Sequence, residues 1–560
     1  MSALALLILS TIATPGPSDP GLLLEGASVY VSTDLPPRRA AVLVVDGKIA
    51  FVGESSKARR IAPHAHRVDL TESFVFPGWA DAHGHLAGLG AALEVADLRG
   101  AADSGEAARR IAKTAASLPA GNWAEGRGWD QNRWPGEKFP DARDLDALLP
   151  DRPAVASRVD GHAVWVNTAA LRAARIEAAT PDPEGGRIVR RQDGSPSGVL
   201  VDRAAGLIEG VLPAASPVDF ERRILAAGNA CAKSGLTEVQ DASHYSPEEI
   251  AALGRLADSG VLPIRIYATV SNEAKDLAGL FAKGPRIGRG RDFLTVRAIK
   301  ALADGALGSR GAALLADYSD DPGNRGLLVT PPERLDVLAR QARENGWQLW
   351  IHAIGDRGNR FALDAFARAA AAVPDAPAGG RRPRIEHAQI LASGDIPRFA
   401  REGVIASVQP THATSDMPWA ESRVGPERIA GAYAWRRLKN AGARLAGGSD
   451  FPVESENPLL GFYAAVTRQD LDGKPPGGWR PEERLTRREA LELFTAAAAY
   501  AAFEEDRRGR IAAGYEADLT VFAQDPMAAA EKEIPRIPVV LTLVGGRVAY
   551  GRGLAAGKTP

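Results

Sequence analysis

Nine histidines and a single cysteine set the terms for any metal or nucleophile chemistry in this 560-residue chain. With Cys231 alone, neither an intrachain disulfide nor a cysteine-rich zinc site can form, so a metal must be held by His, Asp, Glu or Lys. Two of the histidines stand two apart in Asp81-Ala82-His83-Gly84-His85. On an extended chain residues i and i+2 share a face, so both imidazoles can address one ion, and the glycine between them allows close approach. Further along, Lys300, His352 and His387 each end a short apolar run, and Asp450 follows Gly447-Gly448-Ser449. Alternation puts Val296, Ala298 and Lys300 on one strand face, and a lysine in a packed interior is rare unless its amine has a strong partner. Any one of these residues alone reads as a hydrogen-bonded core or turn residue. Together, at the ends of successive runs, they read as a metal constellation. His64-Ala65-His66 has the same spacing but lies beside Arg67, away from every such run, and is expected to be a surface loop that binds nothing.

The elements that must position these groups are eight short apolar runs, at 75–81, 236–241, 263–269, 294–300, 347–352, 383–387, 404–408 and 444–450. Amphipathic stretches such as 335–345 and 360–372 fall between several of them, which predicts an α/β fold, a (β/α)8 TIM-like barrel over 77–502. The candidate ligands then fall at the C-terminal ends of five strands, the rim where such barrels carry their sites. About 155 residues separate the first two runs, where an ordinary crossover needs roughly 30. The excess predicts a subdomain inserted after strand one, at about 119–215. Its tryptophans Trp123, Trp129 and Trp134 read better as subdomain core than as the floor of an apolar pocket, and Cys231 reads as helix packing. Hairpin signals at Asp46-Gly47 and Gly545-Gly546 predict a small β-sandwich assembled from 20–76 and 503–560.

Composition removes several function classes. Lys plus Arg number 68 and Asp plus Glu 69, a net charge of −1, so the basic footprint of a nucleic-acid or anionic-membrane binder is missing. A 45% hydrophobic chain of this length buries a large core and is not disordered. The apolar stretch 3–13, followed by Thr14-Pro15-Gly16-Pro17, is too short to span a bilayer but suits a signal-peptide core, although no Lys or Arg precedes it. Residues 1–19 are therefore expected to be a signal peptide and the protein periplasmic or secreted; otherwise it is cytoplasmic.

The motifs then become specific: FPGWADAHGH (76–85), GWDQNRWPG (128–136), SRVDGHAVWVNTAAL (157–171), GLTEVQDA (235–242), IKALADGALGSRGA (299–312), HAIGD (352–356), IEHAQ (385–389), QPTHATSD (409–416), GSDFPV (448–453) and AGYEADLTVF (513–522). Spread over most of the chain, they resemble the amidohydrolase superfamily, and within it the branch of large amidohydrolases that includes N-substituted formamide deformylase. The resemblance implies a distorted (β/α)8 barrel with a β-sandwich from both termini. It implies two divalent metal ions, Zn²⁺ first, with Mn²⁺ or Co²⁺ also suited to such donors. His83, His85 and Asp450 would bind one ion and His352 and His387 the other. Lys300, carboxylated by CO₂, would bridge them, and Asp450 would also be the catalytic proton carrier. The implied reaction is hydrolysis of a non-peptide C–N bond (amide, formamide or cyclic amide) in a small molecule. Ester, lactone or phosphoester hydrolysis at the same site is the alternative among enzymes, and a non-catalytic scaffold the alternative outside them. His162 matches a family position and reads as a substrate or oxyanion contact, or as a structural histidine. His412 reads as pocket wall, and His244, after strand two, as a weaker pocket candidate. Arg310 either anchors an anionic substrate group or closes a loop salt bridge. Asp304 offers the alternative to the carbamate, an ion pair with an unmodified Lys300. The sequence leaves homo-oligomerisation open.

Overall fold

The computed structural model describes residues 20–551 apart from 120, 214 and 215, so the signal-peptide expectation at 1–19 lies outside the described residues. Eight strands form the main path of the central sheet: β1 (Trp79–Gly84), β2 (Leu236–Tyr245), β3 (Arg265–Ser271), β4 (Leu294–Leu302), β5 (Gln348–Ala353), β6 (Arg384–His387), β7 (Ile405–Val408) and β8 (Leu445–Gly447), with a short ninth strand, Arg286–Gly288, antiparallel to β4 off that path. They neighbour one another in chain order and every pairing along the path is parallel. The result is a nearly closed TIM-like barrel. The seam between β8 and β1 is tied at the C-terminal rim, where the Asp450 N–H donates to the His83 carbonyl at 2.6 Å. The Ser449 hydroxyl reaches the buried Asp81 carboxylate at 2.6 Å in the same place. Only glycine suits position 448, since a Cβ there would stand 2.4 Å from the His83 nitrogen.

Two expected strands are corrected. The run read as one strand at 75–81 is broken at Gly78: Phe74–Pro77 belongs to the terminal sandwich, antiparallel to Leu519–Phe522, and only Trp79–Gly84 enters the barrel. Both halves are apolar, so periodicity carries no mark of the change of sheet. The run read to 450 stops at Gly447, and Asp450 sits beyond it in the left-handed region at φ 60°. The helices between strands begin earlier than read, at Pro332–Glu344 and Asp356–Ala372, the former with proline in its first turn, where its missing N–H costs nothing.

The insertion after β1 carries a six-stranded sheet, ordered Gly186–Arg190, Pro196–Asp202, Ala163–Val166, Ala154–Arg158, Ala124–Trp129 and Ala96–Asp97. Its edge strand and the helix Ser104–Ala115 lie upstream of 119, so the sheet reaches further back than the composition suggested. A two-residue strand is too short to announce itself, but Leu98, Ala107, Ala108 and Ile111 bury against Trp129 and Trp134. Trp123 is buried in a neighbouring cluster. Trp123 and Trp129 are thus subdomain core, while Trp134 belongs to that core and also lines the cavity. The chain returns to the barrel through Pro217–Lys233, whose Ser216–Asp219 capping box starts the helix and whose face buries Cys231.

Both termini build two further sheets that share one buried core, with Leu22, Leu24, Val42 and Val44 of one against Val75, Leu519, Val521 and Leu541 of the other. His64 and His66 belong here and are exposed; His66 opens the strand His66–Asp69 instead of lying in a loop. Among the described residues no helix is long and apolar enough to cross a membrane.

Candidate metal centre

The C-terminal ends of the barrel strands and the facing wall of the insertion enclose a cavity of about 830 Å³. His83, His85, Lys300, His352, His387 and Asp450 all line it, so six residues dispersed over 368 positions of the chain reach one space. His83 comes from the end of β1 and is completely buried. Its Nδ1 meets the carboxylate of Glu386, which receives the Arg384 Nε–H at 2.9 Å. Arg384 also donates to the Ala82 carbonyl at 2.6 Å and to the Ser407 hydroxyl at 2.8 Å, and lies over the Trp350 ring at 3.8 Å. Burial alone would raise Glu386, but Arg384 and His83 outweigh it and hold its carboxyl at about 2. A permanent carboxylate on Nδ1 fixes the ring and leaves Nε2 as the ligating nitrogen.

That Nε2 is buried without a hydrogen-bond partner, 3.4 Å from Asp450 Oδ1. The same oxygen stands 3.0 Å from His85 Nε2. The His387 Nδ1–H donates to Gln409 Oε1 at 2.9 Å, which again frees Nε2. Ligand atoms of His83, His387 and Asp450 lie within 4.8 Å of one another. His352 joins through its ring, 4.5 Å from that of His387, while its Nε2 turns toward the Gly305 carbonyl at 3.4 Å. An orphaned, buried Nε2 facing a carboxylate, with further imidazoles in reach, is a donor set that fits a divalent cation.

The backbone is held in uncommon geometry at the same place: His387, Ala388 and Asp450 have φ of 74°, 44° and 60°. Non-glycine residues in this region cost energy and persist where packing over-determines them. At Asp450 the His83 carbonyl does this work. Burial would raise the Asp450 carboxyl, yet His83 and His85 keep it well below the usual range, so it is anionic.

Lys300 is 2% exposed. Burial pulls its ammonium down to about 8, with Arg384 adding to the effect against Glu386 and Asp450. The expected alternative, a Lys300–Asp304 pair, does not form. Asp304 instead accepts the backbone N–H groups of Ala313, Ile354 and Gly355 at 2.8, 3.0 and 2.8 Å and clamps the loop after β4.

His162, from the insertion, reaches the cavity with its ring 5.1 Å from that of His352 and its Nδ1 on Asp202 at 2.7 Å. Burial opposes its charge, but Asp202 prevails and lifts the imidazolium to about 9. His412 stacks at 5.8 Å on His387, and its Nε2, which has no hydrogen-bond partner, lies 3.7 Å from Asp450 Oδ2. It lines the cavity. His244 also lines the cavity. Arg310 does not: its guanidinium pairs with Asp320 at 3.0 Å, so the loop salt bridge is its role and the substrate anchor is withdrawn. The sequence reading passed over Glu386, Arg384, Gln409 and Asp81. Arg384 and Glu386 left a trace, two opposite charges on one face of a run otherwise fit for burial; Gln409 left none.

The model of the amidohydrolase family matches residues 67–550. The protein named amidohydrolase YtcJ from Bacillus subtilis (strain 168) is 35% identical over 534 residues, 94% of this chain and 98% of its own. N-substituted formamide deformylase from Arthrobacter pascens is 29% identical over 533 residues, 91% of this chain and 95% of its own. Among solved structures, an uncharacterized metal-dependent hydrolase from Pyrococcus horikoshii OT3 superposes with a TM-score of 0.73 at 28% identity, covering 91% of this chain and 99% of that one.

Proposed function

We propose that this chain, which belongs to the amidohydrolase family, is a metal-dependent hydrolase that cleaves a non-peptide C–N bond (amide, formamide or cyclic amide) of a small molecule. The observation that carries the reading is the convergence of His83, His387 and Asp450, with ligand atoms within 4.8 Å, beside a buried lysine. His83, His85 and Asp450 would hold one divalent ion, and His352 and His387 a second, with Lys300 between them as a carbamate. Bound there, such ions supply Lewis acidity toward a water and toward the substrate carbonyl oxygen.

The remaining work falls to the chain. Asp450, kept anionic by His83 and His85, accepts the proton of the attacking water and hands it to the departing nitrogen, which is too basic to leave unprotonated. Glu386 and Gln409 hold the rings of His83 and His387 in register. Lys300 near a pKa of about 8 presents a useful fraction of neutral amine around neutrality. That neutral amine adds to the carbon of CO₂: the N–C bond forms as one C=O π bond opens onto oxygen and the nitrogen gives one proton to solvent, so the neutral amine becomes a carbamate anion.

The experiment is a hydrolase screen of zinc-loaded protein with N-acyl, N-formyl, lactone and phosphoester panels, run beside Lys300 variants. Amides or formamides are expected to turn over fastest; turnover confined to phosphoesters overturns the C–N assignment. Lys300→Ala is expected to lose most activity and to regain part of it with added short-chain carboxylates. Lys300→Arg should stay inactive, because a guanidinium does not take up CO₂, and an active Lys300→Arg protein refutes the carbamate.

A further inference from the structure

Five arginines line the cavity, and four of them are accounted for. Arg99 is bound twice by Asp97, at 2.9 and 2.8 Å. Arg158 sits between Asp130 and Asp160, the former at 2.7 Å, and Arg203 reaches Glu273 at 2.8 Å. Arg133 is exposed, where water solvates it.

Arg127 differs. It projects from the strand Ala124–Trp129 of the insertion and is half-buried. Among the described residues its one hydrogen bond is a long contact from Nη2 to the Val159 carbonyl at 3.3 Å, and its Nε is buried with no partner. Among the described residues no carboxylate lies within ion-pair distance of it; Asp450 and Asp160 act on it only at longer range. A guanidinium stays charged, and leaving it unpaired in a partly dry wall is costly unless something else completes it. A second cavity-lining group, the Trp419 indole N–H, is likewise buried without an acceptor. The Arg127 and Trp419 groups are both donors, so a ligand that completes them supplies acceptors. Two carboxylates of the same wall are already engaged: Glu454 accepts the Ser415 hydroxyl at 2.6 Å and Asp416 the Gln389 amide at 3.1 Å. Asp202, whose Oδ2 is buried without a partner, spends its other oxygen on His162 at 2.7 Å.

We propose that Arg127 is the specificity-determining cation of this site and that its substrates are amides carrying a carboxylate, seated on Arg127 while the carbonyl lies at the His83–Asp450 cluster. The planar fork of arginine matches a carboxylate, and in a sheltered cavity such a pair fixes orientation as well as affinity. The bond cleaved rests on the hydrolase reading above; the anion site rests on Arg127 itself.

The test uses matched probes: N-formyl-, N-acetyl- and N-benzoylglycine against N-propylformamide, N-propylacetamide and N-propylbenzamide, with the full-length metal-loaded protein. In the wild type kcat/KM is expected to favour the glycine conjugates at least tenfold, and that ratio to fall at least tenfold in Arg127→Met. Arg127→Lys, which keeps the charge without the fork, should lie between, and it replaces the Met variant if that protein does not fold. Equal rates on both series in the wild type, or a ratio unmoved by the substitutions, overturn the proposal and leave the hydrolase reading standing. If no amide is hydrolysed, the hydrolase reading fails and calorimetric binding of N-benzoylglycine decides. Affinity weakened at least tenfold by Arg127→Met supports the anion site, and equal or absent binding in both proteins overturns it.

Discussion

The chain contains two His-x-His segments, and their surroundings could hardly differ more. His64 and His66 stand on the rim of the terminal sandwich, exposed, with no carboxylate or carbonyl fixing either ring. His83 and His85 stand at the end of β1, where Glu386 locks one ring and Asp450 contacts both. The spacing is identical, so spacing is not the determinant. What separates them is desolvation with compensation: the Glu386 that holds His83 is itself held by Arg384, and Arg384 by Trp350, Ala82 and Ser407. The glycine contributes too. A Cβ at Gly84 would meet the Phe451 ring at 2.4 Å, whereas Ala65 buries its methyl in a small cluster with Leu23, Leu43 and Ala58.

The comparison breaks most visibly if a buried ligand is removed. His387→Ala is expected to lose bound metal and to drop activity by on the order of 100-fold or more, beyond the usual effect of an outer partner, read by metal analysis and turnover; a fully metallated, active variant would sever His387 from the centre. Glu386→Gln sharpens it further. It keeps the size and removes the charge on His83 Nδ1, so metal affinity should fall by about 10–100-fold in a chelator competition. Unchanged affinity would mean that the histidine, and not its carboxylate, makes the difference between the two segments. The smallest effect belongs to the exposed pair. His64→Ala with His66→Ala should leave metal content and rate unchanged and stability within about 0.5 kcal/mol in a denaturant melt; loss of metal there would place a ligand in the sandwich.

Much of this architecture is legible in residues. Strand ends at Lys300, His352 and His387 show because apolar runs stop at polar groups, and the barrel follows from their order. What is illegible has a physical reason in each case. The switch of sheet at Gly78 hides inside continuous apolar sequence, because both sheets bury their faces. Arg310 reads equally as an anchor or as a loop ion pair, because nothing in its local sequence marks that the loop turns it to Asp320. Gln409 became visible only as the partner of His387 Nδ1, a contact made across the β6–β7 pairing. The insertion's edge strand, two residues long, is specified by what it packs against and not by its own pattern.

The break at Gly78 also governs the order in which the molecule can be completed. Trp79 opens the barrel, yet its N–H donates to Thr520, 441 residues later, and its indole is walled by Phe462, Phe494 and Phe522. A ribosome adding about 5–20 residues per second delivers those partners on the order of a minute after Trp79 itself. Throughout that interval the strand Phe74–Pro77 presents an unpaired apolar edge, the kind that invites pairing with other chains. The nascent protein therefore needs shelter for this sandwich strand until Leu519–Phe522 has been synthesised, and the metal cluster, which joins His83 just beyond that strand to Asp450, also waits for late sequence.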